Sequence, residues 1–210
     1  MDSTFVISLF GALFAIMNPI TNLPIFLSVT EGASIADQKK VAVKTATYSL
    51  IMGGVVAVAG SQMLNLFGIS VDDFRVAGGL VVLLIALNML NGNESSSHHG
   101  TEGEKQNYPA PETVAFYPLT FPIIVGPGTV ATLIVYAHQV KSLLQVTVFA
   151  AIFVGMTVFV GLVFWNAASL ARYLTGSARV IMSRLMGMIL ATIAVSMIVA
   201  GLKALLPGLA

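Results

Sequence analysis

Six long apolar runs occupy most of the 210-residue chain, and they limit its fold more than any other feature. A helix needs about 20 apolar residues to cross a bilayer, and these runs are continuous instead of alternating in polarity as barrel strands do. They predict six transmembrane helices at residues 5–29, 45–67, 74–90, 114–137, 143–165 and 181–202. The sequence therefore predicts an all-α integral membrane protein without a soluble domain.

The composition agrees with this prediction and excludes several classes of protein. Charged residues make up 9% of the chain and apolar residues 57%, whereas about a quarter of a soluble domain is charged. A net charge of +1 gives no basis for binding nucleic acid. The chain has no cysteine, which excludes disulfides and thiol chemistry. Without a zinc-protease motif or an intramembrane acid pair, we expect no enzymatic activity and no bound cofactor.

One polar stretch, residues 92–112, separates the first three runs from the last three. Its serine-, glycine- and proline-rich sequence predicts a flexible connector. His98 and His99 lie there without a third preorganised ligand, so we expect no metal site. The chain thus divides into a first helical unit at 1–90, a linker at 91–112 and a second helical unit at 113–210.

The basic residues predict the orientation in the membrane, because lysine and arginine collect on the cytoplasmic side. Seven of them follow the first, third and fifth runs, and three lie on the opposite side. The two sets are Lys39, Lys40, Lys44, Lys105, Arg172, Arg179 and Arg184, against Arg75, Lys141 and Lys203. We therefore expect both termini outside the inner membrane and the linker in the cytoplasm, with Trp165 at a cytoplasmic helix end.

An internal repeat relates the two helical units at a constant offset of 108 residues, without gaps. The shift places Pro19 on Pro127, Thr21 on Thr129, Gly53 on Gly161, Gly68 on Gly176 and Gly79 on Gly187. Each unit contains an odd number of predicted crossings, so the second must enter the membrane from the opposite face. The sequence predicts two inverted three-helix repeats, an arrangement common in secondary transporters.

Helix-breaking residues lie in the middle of the first and fourth predicted helices. The first contains Asn18, Pro19 and Pro24, and the fourth contains Pro122 followed by the segment Gly126, Pro127 and Gly128. An interior proline costs about 3 kcal/mol, and lipid cannot satisfy the carbonyls it frees. Closely packed kinked helices are one interpretation. Paired discontinuous helices at equivalent repeat positions indicate instead a transport site.

The predicted breaks have a defined electrostatic character. Each half-helix N-terminus carries partial positive charge that attracts a carboxylate, and each C-terminus suits an ammonium group or Na⁺. None of the nine Asp and Glu residues lies within a predicted span, so a small neutral substrate is expected. The candidate substrate-binding residues are Asn18, Thr21, Asn22, Gly126, Gly128 and Thr129, and the candidate helix breaks are Pro19, Pro24, Pro122 and Pro127.

Five further polar residues have two open interpretations each. Asn88 and Ser196 are equivalent in the repeat, and either line the pathway or bond a neighbouring helix. Arg75 and Arg184 either extend to the interface or pair with a substrate carboxylate, with the structural interpretation favoured. His138 is expected at the membrane interface in preference to carrying protons.

Four motifs give the chain a resemblance to a known family. They are Asn18-Pro19…Pro24-x-Phe26, Phe74-Arg75-Val76-Ala77-Gly78-Gly79, Pro118…Pro122…Gly126-Pro127-Gly128 and Ser183-Arg184-Leu185-Met186-Gly187. In these motifs the chain resembles the MarC family of small membrane proteins, also called uncharacterised protein family 0056. The resemblance implies a six-helix inverted-repeat fold, related to the lysine-exporter superfamily, and transport of small neutral amino acids such as glycine and alanine. Thr21 departs from the glycine of many relatives.

The leading hypothesis is therefore transport of small neutral amino acids by alternating access. The alternatives are a passive channel, an exporter of another small neutral solute, an accessory subunit and, less favoured by a neutral cavity, drug efflux. Either Na⁺ or H⁺ is a possible coupling ion, with Na⁺ slightly favoured because freed carbonyls bind it without a charged side chain. The expected partners are the substrate and membrane lipid, and the sequence carries no signal for oligomeric state.

Overall fold

The computed structural model of the protein describes residues 3–30, 33–91, 113–170, 175–206 and 208, with only the backbone at Gly176 and Arg179. These residues form helices and turns and no strand. The helices are α1 Ser3–Met17, α2 Pro19–Val29, α3 Ile35–Leu66, α4 Val71–Leu90, α5 Phe116–Ile124, α6 Pro127–Gln139, α7 Leu143–Trp165, α8 Ala167–Leu170 and α9 Gly176–Leu205. The linker predicted at 91–112 lies, apart from Asn91, outside the described residues, as do His98 and His99.

Several of these helices are long and apolar enough to cross a bilayer. In the described part of the chain there are five such stretches: Ser3–Val29, Ile35–Leu66, Val71–Leu90, Leu143–Trp165 and Val180–Leu205. Thr113–Ile124 and Pro127–Gln139 meet at 62° and add a sixth crossing if they form one broken span. The all-α membrane architecture predicted from the sequence is confirmed, with five or six crossings.

Hydroxyl side chains determine where most of the long helices begin. Each accepts a hydrogen bond from the backbone N–H three residues ahead, which satisfies one of the free donors of the first turn. These capping residues are Ser34 for α3, Ser70 for α4, Ser142 for α7 and Thr175 for α9. Because Ser34 caps it, α3 begins ten residues before the apolar run predicted at 45–67 and carries its basic residues on helical turns.

Helices α4 and α9 pack against each other with almost no side chain between their backbones. A methyl group added at Gly79 would lie 3.1 Å from the carbonyl oxygen of Ala194, and one at Gly187 would lie 3.0 Å from that of Ala86. Close approach of this kind requires glycine and is a common basis of helix association in membranes. The earlier residue of α4, Gly79, faces the later residue of α9, Ala194, and Ala86 faces Gly187. The two helices are therefore antiparallel.

Helices α3 and α7 also pack in opposite directions. The ammonium group of Lys39, near the start of α3, lies 5.0 Å from the centroid of the Trp165 ring at the end of α7. Further along, a methyl group at Gly53 would collide with the ring of Phe153. The first basic cluster and Trp165 therefore lie at the same end of the molecule.

Candidate functional site

The first helix break is at Asn18, between α1 and α2. Asn18 has φ 21° and ψ 74°, a left-handed conformation that asparagine tolerates better than most side chains. Pro19 follows as the first residue of α2, a position where the missing N–H costs no hydrogen bond. Pro24, also predicted as a helix break, lies inside α2, which continues through it as a helix. The predicted break at Asn18 and Pro19 is therefore present in the structure.

Polar side chains at this break bond to the backbone that the break exposes. The Asn18 side-chain oxygen accepts a hydrogen bond from the Thr21 N–H at 3.2 Å, and so caps α2. The Asn22 amide donates to the carbonyl of Met17 at 2.9 Å, and the Thr21 hydroxyl donates to that of Asn18 at 3.3 Å. A side chain therefore already bonds a free carbonyl at the C-terminus of α1. The sequence did not predict this bond.

One donor at the first break has no partner. Asn18 is 4% exposed, and its side-chain Nδ2 makes no hydrogen bond to any described residue. Leaving a buried donor unpaired costs about 1–3 kcal/mol, so such a group in a native protein requires an explanation, such as a bound ligand or water. Asn18 therefore has two roles. Its side-chain oxygen caps α2, and its side-chain nitrogen remains available to donate a hydrogen bond to a ligand.

The second break extends over the irregular helix α5 and the start of α6. Tyr117 and Phe121 have extended backbone angles inside α5, each immediately before a proline, which disfavours helical geometry in the preceding residue. The Thr129 hydroxyl donates to the carbonyl of Ile124 across the break at 2.8 Å. The break predicted from Pro122 to Gly128 is present, and the irregular backbone begins earlier than Pro122.

The two half-helices that begin at the breaks differ at their N-termini. Pro127 opens α6 as Pro19 opens α2, but the residue before it is Gly126, which has no side chain to accept a hydrogen bond. The sequence predicts that both N-termini attract a carboxylate. In the structure the N-terminus of α2 is occupied by the Asn18 oxygen, whereas no side chain caps the first turn of α6.

The fold brings the two breaks into contact. A methyl group added at Gly128 would lie 3.5 Å from Ile16, which is two residues before Asn18 on α1. It would also lie 3.1 Å from Ile85 and 3.6 Å from Val82, both on α4. Gly128 and Thr129 are buried, as is Asn18. The buried residues of the two breaks therefore lie near each other, whereas Thr21 and Asn22 are half-buried.

The remaining candidate residues lie elsewhere. Asn88 is half-buried on α4, and Ser196 is exposed on α9, where its hydroxyl donates to the Thr192 carbonyl at 3.0 Å. Arg75 pairs with Asp72 at 2.8 Å within the first turns of α4, in agreement with the structural interpretation of this residue. Arg184 and His138 are exposed.

Two buried threonines near the breaks, Thr120 and Thr132, were not among the candidate site residues. The Thr120 hydroxyl donates to Ala115 at 2.8 Å and to Thr45 at 3.3 Å, both through carbonyl oxygens, so it fastens α5 to α3. Thr132 is fully buried on α6, and its hydroxyl has no partner among the described residues. Its spacing of one helical turn from Gly128 and Thr129 is the sequence signal that would have identified it.

These features define the class of protein: a multi-pass helical membrane protein with two helix breaks. A family model described as MarC family integral membrane protein matches residues 3–206. The chain therefore belongs to the MarC family.

Relatives in bacteria and archaea match nearly the whole chain. It is 37% identical to the UPF0056 membrane protein YvbG of Bacillus subtilis (strain 168), over 99% of this chain and 98% of that protein. It is 33% identical to a UPF0056 membrane protein of Methanocaldococcus jannaschii, over 97% and 98% of the two chains. Identity with YhcE of Escherichia coli (strain K12) is 31%, over 95% and 93%. No solved structure matches the chain.

Proposed function

We propose that this protein is a secondary transporter of small neutral amino acids, similar to glycine or alanine, and that it works by alternating access across the inner membrane. The observation that carries the proposal is the pairing of two buried helix breaks, one of which holds the unpaired Asn18 amide nitrogen. Discontinuous helices that meet near mid-membrane form substrate sites in several transporter folds. The side chains at these breaks are uncharged, which suits a zwitterion of no net charge.

The electrostatics of the breaks match the two ends of such a substrate. The uncapped N-terminus of α6, at Gly128 and Thr129, favours a carboxylate through its partial positive charge. The Asn18 amide adds a hydrogen-bond donor for the same group. The carbonyls of Met17 and Ile124 each accept one side-chain hydrogen bond and keep a second lone pair for an ammonium group or Na⁺.

Crowding around Gly128 favours a small substrate. Side chains of Ile16, Val82 and Ile85 approach the space where even a methyl group on this glycine would lie. A bulky substrate side chain next to Gly128 would have to displace these packed apolar groups much further than a hydrogen atom or a methyl group would. This is the physical reason for proposing glycine or alanine ahead of a drug.

An inverted repeat of six helices, with α1–α2 and α5–α6 as the broken spans, is part of the proposal. Under the offset of 108 residues, Gly79 corresponds to Gly187 and Ala194 corresponds to Ala86. A methyl group added at either glycine would lie at a similar distance from the carbonyl oxygen of the corresponding alanine, 3.1 Å for Gly79 and 3.0 Å for Gly187. The offset also relates Ser34 to Ser142, which cap α3 and α7. These reciprocal contacts support a pseudo-two-fold axis between α4 and α9.

The proposed orientation places both termini outside, with Lys39 and Trp165 at the cytoplasmic end. Coupling to Na⁺ or to H⁺ is compatible with this proposal, and no enzymatic step is included. Alternating access would then open the paired breaks to one face at a time.

Uptake of labelled glycine and alanine into proteoliposomes tests the proposal, with Na⁺ or pH gradients imposed separately. The informative variant is Asn18→Gly, because glycine keeps the left-handed backbone and removes the amide. We expect saturable uptake by the wild type and an apparent KM raised about tenfold or more in the variant, the effect of one charge-assisted hydrogen bond. Ser196→Ala, on the exposed face of α9, is the matched control and should transport normally.

The outcomes separate the hypotheses. Flux that does not saturate would favour a channel, and no uptake by correctly folded protein would contradict amino acid transport. If Asn18→Gly behaves like the wild type, the site does not lie at the first break.

A further inference from the structure

A polar cavity opens at the end of the molecule where α1 begins and α6 ends. Its volume is about 370 Å³, within the range of small-molecule sites. Its walls carry hydroxyl, amide and ammonium groups on three helices and their connection. The side chains used below are Phe5, Ser8, Tyr136, Gln139, Lys141 and Gln145. We call this cavity the vestibule.

A seam between α1 and α6 leads from the vestibule to the helix breaks. At the vestibule Ser8 and Tyr136 line the same cavity, and the Phe5 ring lies 5.8 Å from the Tyr136 ring between centroids. At the other end Gly128 lies against Ile16. Tyr136 lies eight positions after Gly128, which corresponds to about 12 Å of helix. The vestibule therefore lies directly above the breaks, along two antiparallel helices.

Thr132 lies halfway along this seam. It is one helical turn from Gly128 and one from Tyr136, on the same face of α6. Its side chain is fully buried and its hydroxyl has no hydrogen-bond partner among the described residues. Other buried threonine hydroxyls bond a carbonyl, as Thr129 on the same helix bonds Ile124 at 2.8 Å and Thr157 on α7 bonds Phe153 at 2.8 Å. An unpaired hydroxyl between a polar cavity and a buried unpaired amide indicates a place for a polar ligand.

On the α1 side of the seam, the residue opposite Thr132 has a small side chain. The pairing of Ser8 with Tyr136 and of Ile16 with Gly128 places Ala12, midway along α1, across from Thr132. Ala12 is also fully buried, so the seam is closed in this structure. Because Ala12 carries only a methyl group, a small separation of the two helices would open a passage lined on one side by the Thr132 hydroxyl.

We propose that the vestibule is a second substrate-binding site and that the α1–α6 seam is the path from it to the breaks. The inference rests on the proposed function and adds to it. Lys141 supplies a positive charge for the substrate carboxylate, and the amides of Gln139 and Gln145 bond either end of a zwitterion. The Ser8–Tyr136 pair and the adjacent Phe5 ring close the path, and the Thr132 hydroxyl bonds the substrate as it passes.

Cysteine labelling tests the path independently of transport, because the chain contains no native cysteine. Thr132→Cys is treated in membrane vesicles with a charged, impermeant thiol reagent from each face in turn. We expect modification from the same face that modifies Gln145→Cys at the vestibule, and we expect alanine to slow it. Ser196→Cys should stay unmodified, because its exposed position lies within the candidate span Val180–Leu205 and faces lipid, which a charged reagent does not enter. Ala12→Cys tests the seam from its other wall.

Two results would overturn the inference. One is failure of both seam cysteines to react faster than Ser196→Cys, and the other is reaction from the face opposite Gln145→Cys. Labelling of the seam in a protein that does not take up amino acids would leave the path in place and refute the substrate instead. The two proposals therefore fail separately.

Discussion

At the residue scale, each helix break is stabilised by a side chain that bonds a carbonyl five residues before it. Asn22 bonds Met17 at the first break and Thr129 bonds Ile124 at the second. Neither carbonyl has a helical partner at a break, and lipid offers none. These two polar side chains therefore stabilise the discontinuous backbone by bonding carbonyls that the breaks expose.

Thr129→Val removes the hydroxyl and keeps the shape of the side chain. Ile124 is fully buried, so its carbonyl loses its bonded donor, at a cost of about 1–3 kcal/mol. We expect the melting temperature of the detergent-solubilised protein to fall by about 2–10 °C. Thr129→Ser keeps the donor and should retain most of the stability.

A second control separates the break from the general effect of valine in a helix. The exposed Thr147 also donates to a carbonyl, that of Leu143 within α7. Thr147→Val should change the melting temperature little, because that carbonyl keeps its helical partner. Equal losses in Thr129→Val and Thr129→Ser would show that the hydroxyl does not stabilise the break.

At the scale of elements, the sequence predicts most of the helices. It does not predict which groups form hydrogen bonds with the free backbone N–H and C=O groups at their ends. Pro19 and Pro127 indicate the starts of two half-helices, since proline is favoured at the first helical position. The bond from Asn22 to Met17 depends on the turn made by Asn18, which has no periodic signal in the sequence. For this reason Asn22 is predicted as a substrate ligand and is found bonding the backbone.

The irregular helix α5 is a second case in which local pattern is insufficient. Its prolines predict a break, but the Thr120 bonds to Ala115 and Thr45 involve a partner 75 residues away in the chain. Only the packed fold shows that this threonine holds α5 against α3. The early start of α3, in contrast, has a local signal in the sequence. Ser34 and Asp37 form a recognisable helix-start pattern ahead of the apolar run.

The contact between α4 and α9 gives a prediction for two glycines. Gly79→Ala and Gly187→Ala each force a methyl group against a carbonyl oxygen of the other helix. We expect each to lower the free energy of unfolding by about 1–3 kcal/mol, as overpacking does. The repeat makes the two carbonyl contacts equivalent, but a methyl group at Gly79 would also lie 2.7 Å from the Ile198 side chain, so the loss at Gly79 should be at least as large as that at Gly187.

Gly54→Ala and Gly155→Ala are the matched controls for this prediction. A methyl group at either position meets nothing within 4 Å. Alanine has the higher helix propensity, so these variants should be unchanged or more stable by up to about 1 kcal/mol. Thermal unfolding of all four variants in one detergent measures the difference, and equal effects in both pairs would argue against the close approach of α4 and α9.

At the scale of the whole molecule, the bent pair α5–α6 determines the topology. If Thr113–Ile124 and Pro127–Gln139 cross the bilayer together, the described chain makes six crossings, and if they turn back it makes five. An even number returns the chain to the face on which it started. The inverted repeat requires six, because each unit must contain the same odd number of crossings.

Single cysteines at three exposed positions distinguish these topologies. Ser3 precedes the first crossing, Lys203 lies at the end of the last, and Ala36 lies at the start of α3, across the first span. With six crossings, an impermeant thiol reagent should modify Ser3→Cys and Lys203→Cys from one face and Ala36→Cys from the other. The distribution of lysine and arginine predicts that the first pair reacts from outside. If α5–α6 turned back, Lys203→Cys would react from the face of Ala36→Cys. The two breaks would then no longer be equivalent positions of an inverted repeat, and the proposed alternation between the faces would lose its structural basis.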